Sequence, residues 1–126
     1  LVVPVLRSCE TKTIPQLAAE RADIVARTRE NKLKQDDLEG GTFTISSLGG
    51  IGGTYFTPLI NAPEVAILGI GRAQMKPVWD KDRFVPRFLV PLSLSYDHRV
   101  IDGATGVRFS TFLVGLLADV DKLLKV

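Results

Sequence analysis

The sequence is poor in the residues that usually advertise chemistry. Its 126 residues include one histidine, one cysteine, one methionine and one tryptophan. A lone cysteine, Cys9, cannot form an internal disulfide, and no Cys/His cluster offers ligands to a metal, so neither a disulfide scaffold nor a metal centre is expected. Cys9 reads as a bland residue at a strand end, with a reactive thiol as the alternative, and it suits a reducing compartment. No apolar run approaches the ~18 residues that would cross a bilayer, and Leu1-Val2-Val3-Pro4-Val5-Leu6 lacks the basic flank of a signal peptide. Charge is nearly balanced, with 16 Lys and Arg against 14 Asp and Glu. No basic stripe interleaves with aromatics, so neither nucleic acid nor an anionic membrane is expected as a partner. The chain has no initiator methionine and opens on an apolar segment, which reads as part of a longer protein.

What is present suits a globular chain of one-domain size with a modest core: 45% hydrophobic and 24% charged residues. Residues 2–7 read as a strand, irregular at Pro4. Thr13, with Gln16 three residues on and Pro15 in the first turn, predicts a helix start. Ile14, Leu17, Ala18, Ile24 and Val25 would line its apolar face to about Lys34. A turn-rich stretch ending at Gly41 leads to a strand over 42–46, then to Gly49-Gly50-Ile51-Gly52-Gly53. Without a P-loop lysine, that loop reads as a bulge or close backbone packing more readily than as a phosphate cradle. Residues 54–60 look extended, 65–70 a strand buried on both faces, and 77–86 a hairpin with Asp80-Lys81-Asp82 at its tip. Trp79 there reads as a packing residue. From Ala104, the stripe Phe109, Phe112, Leu113, Leu116, Val120, Leu123 and Leu124 predicts helix to the C-terminus, serving core or subunit contact. The order strand, helix, several strands, helix predicts an α/β two-layer sandwich, a mixed sheet packed with helices.

The apolar run Phe88–Leu94 reads as a strand that carries the single histidine, His98, to its end. Four residues later come Asp102 and Gly103, a carboxylate and a glycine turn into the next helix. A base delivered from a strand end beside a carboxylate is a plausible catalytic arrangement. His98 is also the only side chain here whose unperturbed pKa suits proton transfer near neutrality.

The string Asp97-His98-Arg99-Val100-Ile101-Asp102-Gly103 resembles the His-x-x-x-Asp-Gly motif of the dihydrolipoamide acyltransferases, core components of 2-oxo acid dehydrogenase complexes. Chloramphenicol acetyltransferase shares that motif. The segments Phe43–Gly49, Asn61–Gly69 and Pro77-Val78-Trp79 are similar to the same family, in its order and spacing. The resemblance implies a chloramphenicol acetyltransferase-like fold with the N-terminal part of the domain missing. Residues 1–126 would be the C-terminal portion of a single catalytic domain, with the lipoyl and subunit-binding domains absent. It implies an enzyme that moves an acyl group between dihydrolipoamide and coenzyme A. Both are substrates, the lipoyl group riding on an absent domain, and no metal is needed.

By the same resemblance His98 is the base that activates the thiol, and Ser46 donates a hydrogen bond to the oxyanion, with Ser47 as the fallback. Asp102 would be a supporting residue. It either orients the loop by pairing with a basic residue or lies close enough to act on the thiol or imidazole. Arg99 would hold the loop through an ion pair, and Asp97 receives no role. The CoA ligands are not assigned. Ser46 stands where succinyl-transferring relatives tend to have threonine, and Pro63–Leu68 resembles the acetyl branch, so acetyl is expected. A branched-chain or succinyl acyl group, or an inactive scaffold fragment, are the alternatives. The partners implied are further copies of the chain, as trimers building a larger core, together with lipoyl domains, a decarboxylase and a dihydrolipoamide dehydrogenase. In such trimers the histidine and the serine come from neighbouring subunits. The compartment implied is the bacterial cytoplasm, or else the mitochondrial matrix.

Overall fold

A computed structural model describes residues 1–124, which fall into two compact units, Leu1–Thr42 and the chain from Phe43 onward. The last two residues of the helical tail expected from the sequence lie outside the described residues.

In the first unit, helix α1 spans Ile14–Arg29. Its start is the predicted capping box: the Gln16 N–H donates to Thr13 Oγ1 at 3.4 Å, and the Thr13 N–H donates to Gln16 Oε1 at 2.8 Å. The helix stops five residues before the expected Lys34, because Asn31 takes a left-handed φ of 55° just past the Glu30 C-cap. Asn tolerates that conformation, so it ends helices well. Of the proposed apolar face only Ile24 is buried; Leu17 and Val25 are half-buried, and Ile14 and Ala18 are exposed. Residues 2–7 do not form the expected strand. A strand needs a ladder partner, and among the described residues this segment has a single backbone–backbone bond, from the Val5 N–H to the Asp37 carbonyl at 2.8 Å. Cys9 accordingly lies not at a strand end but in a short 3-10 turn, Cys9–Thr11, where it is exposed.

The second unit is built on a three-stranded mixed sheet of β1 (Thr44–Ser47), β2 (Ala66–Ile70) and β5 (Leu92–Tyr96), in the order β1-β2-β5. β1 runs parallel to β2, and β5 runs antiparallel to it. Central β2 has neighbours on both sides, and Ala66, Ile67, Leu68 and Gly69 are all buried, as a continuous apolar run requires. Two further strands, β3 (Gln74–Asp80) and β4 (Arg83–Leu89), form a separate hairpin whose tip is Lys81-Asp82. Its register puts Met75 opposite Phe88, Pro77 opposite Pro86 and Trp79 opposite Phe84. Those six residues share one apolar face, and Trp79 packs edge-on against Phe84 at 5.1 Å between ring centroids.

The run Phe88–Leu94 is therefore not one buried strand. Pro91 divides it between the end of the hairpin and β5, and Phe88, Leu89 and Val90 are exposed. Residues 54–60 form no ladder and instead cover the sheet at Gly69, where the Phe56 ring lies so close that a Cβ would sit 2.9 Å from it. Helix α2, Gly103–Leu117, packs on β5, and α3, Val120–Leu123, follows after a new N-cap at Asp119. The expected helical tail is thus two helices. Leu113, Leu116 and Leu123 are half-buried while Phe109, Phe112, Val120 and Leu124 face outward.

Candidate active site

The strand that carries the motif does not stop cleanly at Tyr96. The Asp97 N–H donates to the Val65 carbonyl at 2.8 Å, extending the ladder by one bond, and the Asp97 carbonyl then accepts from Val100 N–H at 3.0 Å and Ile101 N–H at 2.9 Å. Those bonds close a tight turn, and His98 sits exposed on its crest. The Asp97 carboxylate ties the turn a third time. Its Oδ1 accepts from the Arg99 N–H at 2.9 Å, and its Oδ2 accepts from Arg99 Nη2 at 2.7 Å. The guanidinium, followed by the Arg99 backbone N–H, holds this carboxyl at about 2, against an ordinary 3.8. Arg99 therefore plays the loop-holding part expected of it. Asp97, given no role by sequence reasoning, is the residue it holds. The signal was an acid two positions before an arginine at the end of a strand, which helical spacing rules do not cover.

Behind the turn, the His98 ring lies 5.8 Å from the Tyr96 ring, tilted by 39°. Tyr96 is in turn backed by Gly106 of α2, where a Cβ would fall 2.7 Å from the Tyr96 ring. Only glycine allows the helix to approach this closely. Asp102 is the N-cap of α2: its Oδ1 accepts from the Thr105 N–H at 2.6 Å. The Thr105 backbone N–H, then its hydroxyl, and to a smaller extent His98 keep the Asp102 carboxyl below its ordinary range. Among the described residues Asp102 has no basic partner. Its carboxylate instead caps the helix that follows the turn.

Ser46 lies at the other end of the sheet. It is opposite Gly69 on β2, and Gly69 is opposite Ser93 on β5. From Ser93 the chain runs four further residues to Asp97, about 13 Å along the strand at ~3.3 Å per residue, and two strand spacings of ~4.8 Å add to that. The structure thus does not bring Ser46 and His98 of one chain within hydrogen-bond reach. Ser46 shares its face of the sheet with Thr44, Ile67 and Gly69, whereas Ser47 projects to the opposite face. The glycine loop after β1 is held by backbone hydrogen bonds and packed at Gly49, while a Cβ at Gly50, Gly52 or Gly53 would meet open space. The Gly52 N–H returns to the Leu48 carbonyl at 3.0 Å, and the Arg72 N–H bonds the Gly53 carbonyl at 3.2 Å. A Cβ at Gly49 would lie 3.1 Å from the Gly71 carbonyl oxygen. No group of His, Cys, Asp and Glu suited to a metal occurs among the described residues.

An exposed imidazole on a backbone fixed by three sets of hydrogen bonds can take a proton from a nucleophile docked against it. Among the described residues, Ser46 lies beyond hydrogen-bond reach of this imidazole.

Residues 1–125 match the family of 2-oxoacid dehydrogenases acyltransferase (catalytic domain). The chain is 58% identical to the dihydrolipoyllysine-residue acetyltransferase component of the pyruvate dehydrogenase complex of Pseudomonas aeruginosa, covering 98% of this chain and 23% of that protein. The corresponding component from Azotobacter vinelandii is 56% identical over 98% of this chain and 19% of its own length. Two solved structures superpose with a TM-score of 0.94, each covering 98% of this chain and 51% of the other. One, 56% identical, is the cubic core of a pyruvate dehydrogenase multienzyme complex. The other, 55% identical, is the Azotobacter vinelandii dihydrolipoamide acetyltransferase, in which a serine, a histidine and an asparagine were investigated for their role in the catalytic mechanism. The chain thus spans about half of the solved chains it matches and less than a quarter of these curated relatives. Its fold is the mixed α/β sandwich of chloramphenicol acetyltransferase-like topology.

Proposed function

Because the chain belongs to the 2-oxoacid dehydrogenase acyltransferase family, as part of its catalytic domain, we propose that it serves the transfer of an acetyl group between a dihydrolipoyl thiol and coenzyme A. One observation carries this reading. In the Azotobacter vinelandii enzyme, the investigated serine precedes the histidine by fifty-two positions and the asparagine follows it by four. Ser46, His98 and Asp102 repeat both spacings, with aspartate in place of asparagine. The match also favours Ser46 over Ser47.

His98 then acts as general base. Coenzyme A attacks the acetyl-lipoyl carbonyl through sulfur while the imidazole takes the thiol proton. The resulting oxyanion accepts a hydrogen bond from Ser46 of a neighbouring subunit. Collapse expels the dihydrolipoyl sulfur, which takes the proton back from the imidazole. Base catalysis of this kind is typically worth ~10²–10⁴-fold, and an oxyanion donor ~10²–10³-fold. Asp102 and the Asp97–Arg99 pair keep the turn in place.

A site shared between subunits requires assembly, and the exposed apolar face of the hairpin supports it. Met75 is 64% exposed, Trp79 59%, Phe84 67% and Phe88 69%. A soluble monomer rarely leaves such a patch uncovered. We read the assembly as trimers within a larger core, served by lipoyl domains, a decarboxylase and a dihydrolipoamide dehydrogenase. The lipoyl and subunit-binding domains would lie elsewhere in the parent protein. The bacterial relatives favour the bacterial cytoplasm over the mitochondrial matrix.

The test is acetyl transfer from acetyl-CoA to free dihydrolipoamide by the full-length parent enzyme. His98→Ala is expected to lower turnover at least ~10²-fold, and Ser46→Ala ~10²–10³-fold with KM little changed. Ser47→Ala, on the opposite face, is expected to do far less. A His98→Ala enzyme that assembles and keeps more than about a tenth of wild-type turnover would exclude the base role.

A further inference from the structure

Ser46 sits on a strand with little to hold it. β1 lies at the edge of the described sheet and pairs only with β2, and Ser46 stands opposite Gly69, which has no side chain to brace it. Among the described residues the Ser46 hydroxyl has no hydrogen-bond partner, so its place is set by the strand that carries it. Two residues earlier, on the same face, Thr44 is only 7% exposed and is the one buried polar side chain among the described residues. Its hydroxyl donates to Glu64 Oε2 at 2.5 Å. Glu64 belongs to the turn that leads into β2, closed by its own N–H on the Asn61 carbonyl at 2.9 Å. Among the described residues its half-buried carboxylate forms no ion pair and meets the Thr44 hydroxyl instead.

The ladder of β1 on β2 does not by itself choose a register, because every residue in it brings the same N–H and C=O. β1 reads Thr-Ile-Ser-Ser, and a slip of one residue would turn each side chain to the other face, putting Ser47 where Ser46 now stands. Hydrophobicity does not forbid that slip. Ile45 is 63% exposed while Thr44 is buried, so the apolar member of the pair is the one that points outward. The Thr44–Glu64 bond does forbid it, since Ile45 would then face the carboxylate with no donor to offer. The far side of the turn is fixed as well. The Val65 carbonyl accepts from the Asp97 N–H at 2.8 Å, which anchors Glu64 to the strand end that carries His98.

We infer that Thr44 and Glu64 are positioning residues that select Ser46 over Ser47 as the hydroxyl presented to the oxyanion. A hydroxyl bonded to a carboxylate makes the short, strong kind of hydrogen bond. A catalytic donor displaced by ~1 Å can lose ~10²-fold in rate, so a bond two residues away suffices to control it. The inference rests on the reading above that Ser46 donates to the oxyanion, and the experiment separates the two.

Transfer from acetyl-CoA to dihydrolipoamide is measured on the full-length parent enzyme with Thr44→Val, Thr44→Ser and Glu64→Ala, each also combined with Ser46→Ala. Hydrogen exchange of the peptide containing β1 is followed by mass spectrometry on the same proteins. Thr44→Val and Glu64→Ala are expected to lower kcat ~10–100-fold with KM changed less than ~2-fold, because the loss falls in the transition state. Protection of the β1 amides is expected to fall ~10–100-fold in both. Thr44→Ser keeps the donor and is expected to stay within ~3-fold of wild type in turnover and protection. In the Ser46→Ala background, Thr44→Val is expected to lower kcat by less than a further ~2-fold, since the pair acts through Ser46. Should Thr44→Val fail to assemble, Glu64→Ala makes the same test from the turn side. Wild-type kcat and exchange in these variants, or equal losses with and without Ser46, would overturn the inference. Full turnover in Ser46→Ala, with β1 protection lost in Thr44→Val, would refute the oxyanion role of Ser46 while upholding the pair as what holds β1 in register.

Discussion

Replacing Gly106 by alanine tests how α2 positions the catalytic turn. A Cβ there would lie 2.7 and 2.9 Å from two carbons of the Tyr96 ring and 3.2 Å from its hydroxyl oxygen, where nonbonded carbon contacts normally begin near ~3.5 Å. The ring has limited freedom to withdraw, since Tyr96 ends β5 opposite buried Ala66 and its centroid lies 5.8 Å from that of His98. Overpacking of this size costs ~1–3 kcal/mol, while Gly→Ala in a helix returns ~1 kcal/mol through propensity. Gly115 lies on the same helix with nothing within 4 Å of its Cβ position, so Gly115→Ala keeps the propensity gain without the clash. Because the substitution is identical, the unfolded-state contribution largely cancels between the two variants. Urea denaturation of the parent enzyme is therefore expected to place Gly106→Ala ~1–3 kcal/mol below Gly115→Ala. Turnover should fall only in the Gly106 variant, as the displaced ring disturbs the His98 turn. Equal stabilities within ~0.3 kcal/mol, or full turnover in Gly106→Ala, would refute the idea that this contact sets the turn.

Two carboxylates in the turn make separate predictions. The Asp97 carboxyl titrates at about 2 when folded, against an ordinary 3.8, so its pair with Arg99 stabilises the turn above pH ~4 and is lost as pH falls toward 2. The stability gap between wild type and Asp97→Asn is expected to be constant from pH 5 to 8 and to close between about pH 4 and 2; a gap that widens with acid would contradict the assignment. For Asp102, the N-cap role predicts that Asp102→Asn keeps most turnover, because Asn caps as well as Asp, while Asp102→Ala loses turnover and helix stability together. Near-complete loss of activity in Asp102→Asn with α2 intact would instead point to direct action of the carboxylate on the reacting groups.

Much of this was legible because some residues act through local rules. The Thr13–Gln16 capping box and the unbroken apolar run of β2 declare themselves, as does the hairpin around Lys81. The motif histidine also declares itself, since strand, turn and glycine are written consecutively from Leu92 to Gly103. Where the reading failed, partners distant in sequence decided the outcome. Val2, Val3 and Val5 favour a strand, yet a strand exists only where a ladder accepts it, and this segment receives one bond. Pro91 lacks an N–H and divides a run whose hydrophobicity is continuous. Asp102 carried two signals, carboxylate beside a histidine and acid before a helix, and the second was overlooked. Least legible was the distance between Ser46 and His98. It follows from the register of three strands, which no single segment encodes.

That distance makes mixed assembly the most direct measurement of a site shared between neighbouring subunits. Full-length Ser46→Ala and His98→Ala chains, each inactive alone, would be co-expressed in equal amounts and the mixed assemblies assayed for acetyl transfer. If each site takes His98 from one subunit and Ser46 from the next, random trimers restore an intact pair at about a quarter of their sites, and activity should recover to about a quarter of wild type. Mixed assemblies that remain as inactive as either parent would contradict the account, because a site drawing both residues from one chain could never be repaired by mixing.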